Sequence, residues 1–138
     1  MNGIVVDASV ALAWCFPDEV SDYADSVLLA VENQTVIVPA IWPLEITNGM
    51  LVGQRCKRIQ QPDVRRFAEL LKGLHITLET QSVADSLINI LPLAEDYGLS
   101  AYDAAYLDVA VRHEVTLATL DADLLRAAIA MGITNFKI

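Results

Sequence analysis

Four short apolar runs punctuate the chain: "GIVVD" from Gly3, "TVIVP" from Thr35, "HITLE" from His75 and "VTLATL" from Val115. Stretches with helical spacing separate them. This alternation constrains the fold more than any other feature. Strands that are apolar along their length are covered on both faces, and alternating strands and helices favour parallel pairing. The pattern predicts an α/β fold: a three-layer α/β/α sandwich around a central, mostly parallel sheet of four to five strands. Residues 1–138 are expected to form one domain, because the length suits one and no repeat or low-complexity stretch interrupts the pattern.

Prolines and glycines punctuate the helices. "ASVALAWCF" reads as a short apolar helix stopped by Pro17, and "DEVSDYADSVLLAVEN" as an amphipathic one. "IWPLEITNGMLVGQRCKR" tolerates Pro43 in its first turn, while "QPDVRRFAELLKG" has Pro62 near its start and Gly73 at its end. "SVADSLINILPLAEDYG" must kink or split at Pro92 and stops at Gly98. "DADLLRAAIAMG" ends at Gly132, and "TNFKI" is expected to form a short final strand. With 54% hydrophobic residues the chain can fill a sizeable core. Trp14 and Phe16 are expected there, with an exposed partner groove as the alternative.

"SAYDAAYLDVAVRHE", from Ser100 to Glu114, is apolar nearly all round, so as a helix it should be buried. Yet it carries Asp103 and Asp108, and an unpaired buried charge is costly. Three further acids occupy related places: Asp7 ends the first strand, Glu45 lies in the helix after the second, and Asp121 follows the fourth. In open α/β sheets function gathers at the carboxyl ends of the strands. Each acid also has a local reading. Asp103 could complete a capping box with Ser100, Asp121 and Asp7 could cap helices, and Glu45 could complement a helix dipole. Jointly, carboxylates converging on one edge repel, and a hard divalent cation with oxygen ligands removes that repulsion. Asp108 lies about 140° round the helix from Asp103. It is expected to be exposed, or paired with Arg112 one turn on. Asp123 is either an outer carboxylate or a first-turn dipole acid. His113 is expected to complement its helix C-terminus.

Net charge is −9, which argues against nucleic acid as a partner. The distribution softens that, because Arg55, Lys57, Arg58, Arg65 and Arg66 are five of only nine basic residues, with Lys72 close behind. This cluster is either a phosphate-contacting surface or a solvated helix face. No apolar run reaches the roughly 20 residues of a membrane span. The start of the chain lacks the basic n-region of a signal peptide, and Cys15 and Cys56 are widely separated. Reduced thiols and a cytoplasmic location are therefore expected. A receiver needs a paired acid after the first strand, an aspartate phosphatase needs D-x-D-x-T, and a nucleotide-binding domain needs a glycine-rich loop. None is present.

The segments "VVDASVALAWCFPDE", "VPAIWPLEITNGML", "GLSAYDAAYLDVA" and "LATLDADLLRAA" resemble, in order and over essentially the whole chain, the PIN-domain nucleases, and closely the VapC-type toxins among them. On that resemblance the acids of the family motifs match Asp7, Glu45, Asp103 and Asp121. The hydroxyl of Ser9, the amide of Asn48 and the hydroxyl of Thr119 match supporting positions, with Asp123 beside them. The resemblance implies an endoribonuclease dependent on Mg2+ or Mn2+, with Asp7, Asp103 and Asp121 as metal ligands and Glu45 completing the cluster. It also implies a toxin neutralised by a cognate VapB-type antitoxin, a homodimer, and operator DNA bound only through the antitoxin. The alternative is a catalytically silent module of the same fold that binds RNA or protein.

Overall fold

A computed structural model describes residues 3–138. Four strands, β1 (Gly3–Val6), β2 (Thr35–Pro39), β3 (Ile76–Glu79) and β4 (Thr116–Ala118), form one sheet in the order β3-β2-β1-β4. Every pair is parallel, as strands that are apolar throughout require. The helices are α1 (Ala8–Cys15), α2 (Asp22–Val31), α3 (Trp42–Arg55), α4 (Gln61–Lys72), α5 (Val83–Asn89), α6 (Leu91–Tyr97), α7 (Ala101–His113) and α8 (Ala122–Ala130).

Chain order decides the layers. From β1 to β2 to β3 the sheet grows in one direction, and right-handed crossovers put α1 to α4 on one face. The return from β3 to β4 crosses behind the sheet and puts α5 to α7 on the other. The packing agrees: α1 lies against α2, α3 and α4, while α7 lies against α6, α8 and the strands. Gly49 and Gly53 let α3 come close to α1, since a Cβ on Gly53 would meet the Phe16 ring at 2.5 Å and one on Gly49 would meet Leu12 at 2.6 Å. The core runs through the β1 and β2 valines and isoleucines to Phe16, Trp42, Tyr106, Leu107 and Leu124. Phe16 is buried and Trp14 half-buried, its Nε1 donating to the Ala24 carbonyl at 2.8 Å. Both aromatics thus belong to the packed interior and its margin.

Pro92 splits its segment into α5 and α6, and Gly98 ends α6 in the left-handed conformation at φ 65°. The expected fifth strand at "TNFKI" is corrected. Residues there meet β4 in one isolated bridge, with Leu117 N donating to the Thr134 carbonyl and Phe136 N to the Leu117 carbonyl. β4 is only three residues long, so a partner entering from the turn after α8 finds one residue to pair with.

Candidate active site

Parallel strands bring their carboxyl ends to one edge, and the β1–α1 and β4–α8 connections meet there. Asp7 is the N-cap of α1 and only 5% exposed. Its Oδ1 accepts from Ser9 N at 2.9 Å, Val10 N at 3.3 Å and the Ser9 hydroxyl, while Oδ2 accepts from the Thr119 hydroxyl. The two connections are stitched further: Leu120 N donates to Ser9 Oγ at 3.1 Å and Asp121 N to Thr119 Oγ1 at 3.0 Å. Ser9 and Thr119 therefore each do two things, orienting Asp7 and fixing the loop that carries Asp121. Asp121 caps α8, accepting from Asp123 N at 2.9 Å.

Glu45 stands in the first turn of α3, and Asp103 in the first turn of α7 behind the Ser100 N-cap. The capping readings of Asp7 and Asp121 are thus correct locally. They coexist with convergence rather than exclude it. Burial raises the Asp103 carboxyl above its usual range, and the charges of Asp121, Asp7 and Asp123 add to the rise. Burial also raises Glu45, with Asp103 and Asp7 adding to it. Asp7 is raised by burial, against the pull of the Ser9 and Thr119 hydroxyls. Asp7 thus acts on both Glu45 and Asp103, and Asp103 on Glu45, which joins the three in one electrostatic site.

Tyr106 belongs here too, although the sequence reading passed over it. Its hydroxyl, on a side chain only 1% exposed, donates to Glu45 Oε1 across the gap between α7 and α3. A buried tyrosine hydroxyl needs a partner, and that requirement was the available signal. Asn48 stands exposed one turn beyond Glu45. Asp123 is exposed and paired with Arg126 at 2.6 Å, so it acts on the cluster through its charge alone.

Asp108 is corrected in part. It is 4% exposed rather than solvated, and it is paired with Arg112 at 2.8 Å. Gln81 Nε2 donates to the same oxygen, Oδ2, and Arg112 and His113 both reach Glu79. His113 therefore meets a carboxylate of β3. This network lies apart from the acids of the sheet edge.

The basic cluster is divided. Arg58 is tied to Asp18 at 2.8 Å and to Glu19, and lies 4.0 Å over the Phe16 ring. Arg66 pairs with Asp63 at 3.1 Å. Among the described residues Arg55, Lys57 and Arg65 are in no ion pair. Arg55 ends α3 ten residues beyond Glu45, about 15 Å along the helix axis. Arg55 and Lys57 thus sit at the far end of α3 from the acids, and Arg65 lies on α4.

Carboxylates alone make up the donor set of the cluster, which suits Mg2+ or Mn2+ rather than a softer metal. Among the described residues no three His, Cys, Asp or Glu side chains form a ready-made metal cage. An ion with few protein ligands and several waters fits such a site, and that is the habit of Mg2+.

Comparison with known proteins agrees with this architecture. The PIN domain family model matches residues 4–130. Ribonuclease VapC3 of Pyrobaculum aerophilum is 31% identical over 122 residues, covering 88% of this chain and 91% of that protein. The crystal structure of PAE2754 from Pyrobaculum aerophilum superposes with TM-score 0.69 at 22% identity, over 96% of this chain and 83% of that one. FitAcB from Neisseria gonorrhoeae gives TM-score 0.66 at 20% identity, over 97% and 96%. The two structural likenesses carry the fold.

Proposed function

The chain belongs to the PIN-domain family and within it to the VapC-type ribonucleases, and from that premise we propose that it is the toxin of a toxin–antitoxin pair, a metal-dependent endoribonuclease acting through Asp7, Glu45, Asp103 and Asp121. The observation that carries the reading is the gathering of these acids at one sheet edge: the hydroxyls of Ser9 and Thr119 tie Asp7 to the loop that carries Asp121, burial raises the Asp103 and Glu45 carboxyls and Asp7 adds to both, and among the described residues none of the four acids is in an ion pair. Residues 1–138 act as one nuclease domain.

In this reading Asp7, Asp103 and Asp121 hold Mg2+ or Mn2+, directly or through water. The bound ion supplies an activated water and offsets phosphate charge. Ser9 and Thr119 hold Asp7 in one orientation, and Tyr106 does the same for Glu45. Glu45 is half-buried and orients the attacking water. Water adds to phosphorus, the bond to the 3′-oxygen breaks, and a 5′-phosphate and a 3′-hydroxyl result. Asn48 and Asp123 lie at the margin and tune the site. Arg55, Lys57 and Arg65 meet the RNA backbone away from the cut, joined by Arg58 and Arg66 where phosphate displaces their present partners.

A VapB-type antitoxin is the partner that silences the enzyme, operator DNA is reached only through it, and the toxin is a homodimer. The cytoplasm is the matching location, where RNA and reducing conditions coincide. No described helix is long and apolar enough to cross a membrane.

Incubating antitoxin-free protein with total cellular RNA tests the reading, with Mg2+ or Mn2+, with chelator, and with Asp103→Asn alongside. Discrete products from the wild type alone, lost with chelator, are expected. Equal cleavage by Asp103→Asn would sink the assignment. Wild-type protein that neither cleaves RNA nor binds metal would favour the silent binding module.

A further inference from the structure

Beside the acid cluster lies a cleft of about 920 Å3, bounded by Tyr23 of α2, by α8 and by the C-terminal residues 132–137. One wall begins at Thr119 and Leu120. Thr119 is the residue whose hydroxyl holds Asp7. Asp121 is two residues further on, no more than about 7 Å of extended chain away. Cleft and acids thus share a wall, and a polymer with one phosphate at the acids would present its neighbouring unit to the cleft.

Resting on the RNA-cleaving reading, we propose that this cleft is a nucleobase subsite, seating the base of a nucleotide that flanks the scissile phosphate of single-stranded RNA. Its lining has the three elements such a subsite needs. Tyr23 and Phe136 supply aromatic surface, braced edge to face with ring centroids 5.7 Å apart. Stacking on aromatic rings is the general means of holding an unpaired base. Lys137 is an exposed cation at the cleft, in a chain of net charge −9, and suits the phosphate joined to that base. Asn135 offers a polar contact for the base edge. Its Nδ2 donates to the Ile133 carbonyl at 3.1 Å, which fixes the direction of the amide. That leaves Oδ1 buried and, among the described residues, without a donor. An unpaired buried acceptor is costly, and a turn of the amide toward the cleft that Asn135 lines would let an N–H of a base edge serve it.

The proposal makes this cleft the source of sequence preference next to the cut. The unpaired Arg55 and Lys57 at the far end of α3, and Arg65 on α4, would contribute affinity without preference.

Two measurements test it. In the first, amide NMR spectra of the metal-free protein are titrated with 5′-AMP, 5′-CMP, 5′-GMP and 5′-UMP, with ribose 5-phosphate as control. The nucleotides should shift Tyr23 and residues 134–137 to extents that differ between bases. The control should move Lys137 alone. Thr134→Trp, a bulky side chain at an exposed cleft position, should weaken nucleotide binding about tenfold or more, the order expected for loss of base stacking.

The second measurement is end-sequencing of a randomised RNA cut by each protein. A nucleotide bias at one position beside the cut is expected from the wild type. Thr134→Trp should lose it, with KM raised about tenfold and kcat little changed. Lys137→Gln, at an exposed position where folding is not at risk, should raise KM and keep the bias. No shifts in the cleft, shifts confined to another surface, or an unchanged bias in Thr134→Trp would each overturn the subsite. So would shifts there that follow protein concentration without nucleotide, which would make a second copy the occupant. Base-dependent shifts in the cleft from a protein that cuts no RNA would keep the subsite and sink the nuclease reading. Cleavage without such shifts would do the reverse.

Discussion

At the residue scale the site separates groups that face the acids from groups that hold them. Tyr106 is the informative case. Its hydroxyl donates to Glu45 and so pulls the Glu45 carboxyl down, against burial and the charges of Asp103 and Asp7, which push it up. Tyr106→Phe removes the pull and leaves the ring in place. The Glu45 carboxyl should rise further, so the acid limb of the cleavage rate should move to higher pH. A hydrogen bond to a charged group is worth about 1.5–3 kcal/mol, which corresponds to a displacement of about one to two pH units. A rate profile that scales down without moving would show a purely structural role. Asp7 was legible from its place at the end of a strand, and Ser9, in the first turn of α1, and Thr119, after β4, only from the family motifs that they match. Tyr106 was not. It reads as one more apolar position on a buried helix, and its partner is 61 positions away in sequence.

At the scale of elements, α7 joins two networks that do not overlap. Its first turns carry Asp103 and Tyr106 toward the acids. Its last turns carry Asp108, Arg112 and His113 toward Glu79 at the end of β3 and Gln81 beyond it. The rotation between Asp103 and Asp108 was readable from helical geometry, and so was the Arg112 pair. Burial of Asp108 was not, because it depends on where the β3–α5 connection lands. The prediction follows from that separation. Asp108→Asn should destabilise the fold by about 1–3 kcal/mol, the cost of leaving a hydrogen-bonded network short of a charged partner. Arg112 keeps Glu79 and is partly solvated, which places the effect below the full penalty for a broken buried pair. The measurement is a urea titration of both proteins beside their cleavage rates. An Asp108→Asn protein of wild-type stability, or one that is stable but inactive, would contradict this division of α7. The same scale explains why the expected final strand does not form. Its composition suits pairing, but a three-residue β4 offers only Leu117 to pair with.

For the whole molecule, the alternation of apolar strands and helices determined the architecture, and the architecture determined where the acids meet. What a sequence cannot display is how far their charges remain uncompensated, and that has a consequence for stability. Asp7, Glu45 and Asp103 all have carboxyls raised in the folded state, with burial the largest cause. Between the ordinary carboxylate range and those raised values, the folded protein binds more protons than the unfolded chain. Stability must then fall as pH rises through that window. Asp18, held low by Arg58, acts in the opposite sense, but only below the ordinary range. In chelator, therefore, the melting temperature should decline as the pH rises above the ordinary carboxylate range, the direction in which raised carboxyls lose their protons. Mg2+ should reverse the decline, raising the melting temperature more at the upper end than at the lower, because it binds only the charged form of its ligands. Asp108 is raised by burial as well but lies outside this site, so its share of the decline should persist in Mg2+. Asp103→Asn removes one of the site's raised groups and a neighbour of the others, so it should flatten the remaining decline and blunt the Mg2+ effect together. A wild-type melting temperature that climbs across the same range in chelator, or a Mg2+ effect independent of pH, would mean that these carboxylates are already compensated within the fold. The sheet edge would then hold no uncompensated charge for a cation to offset.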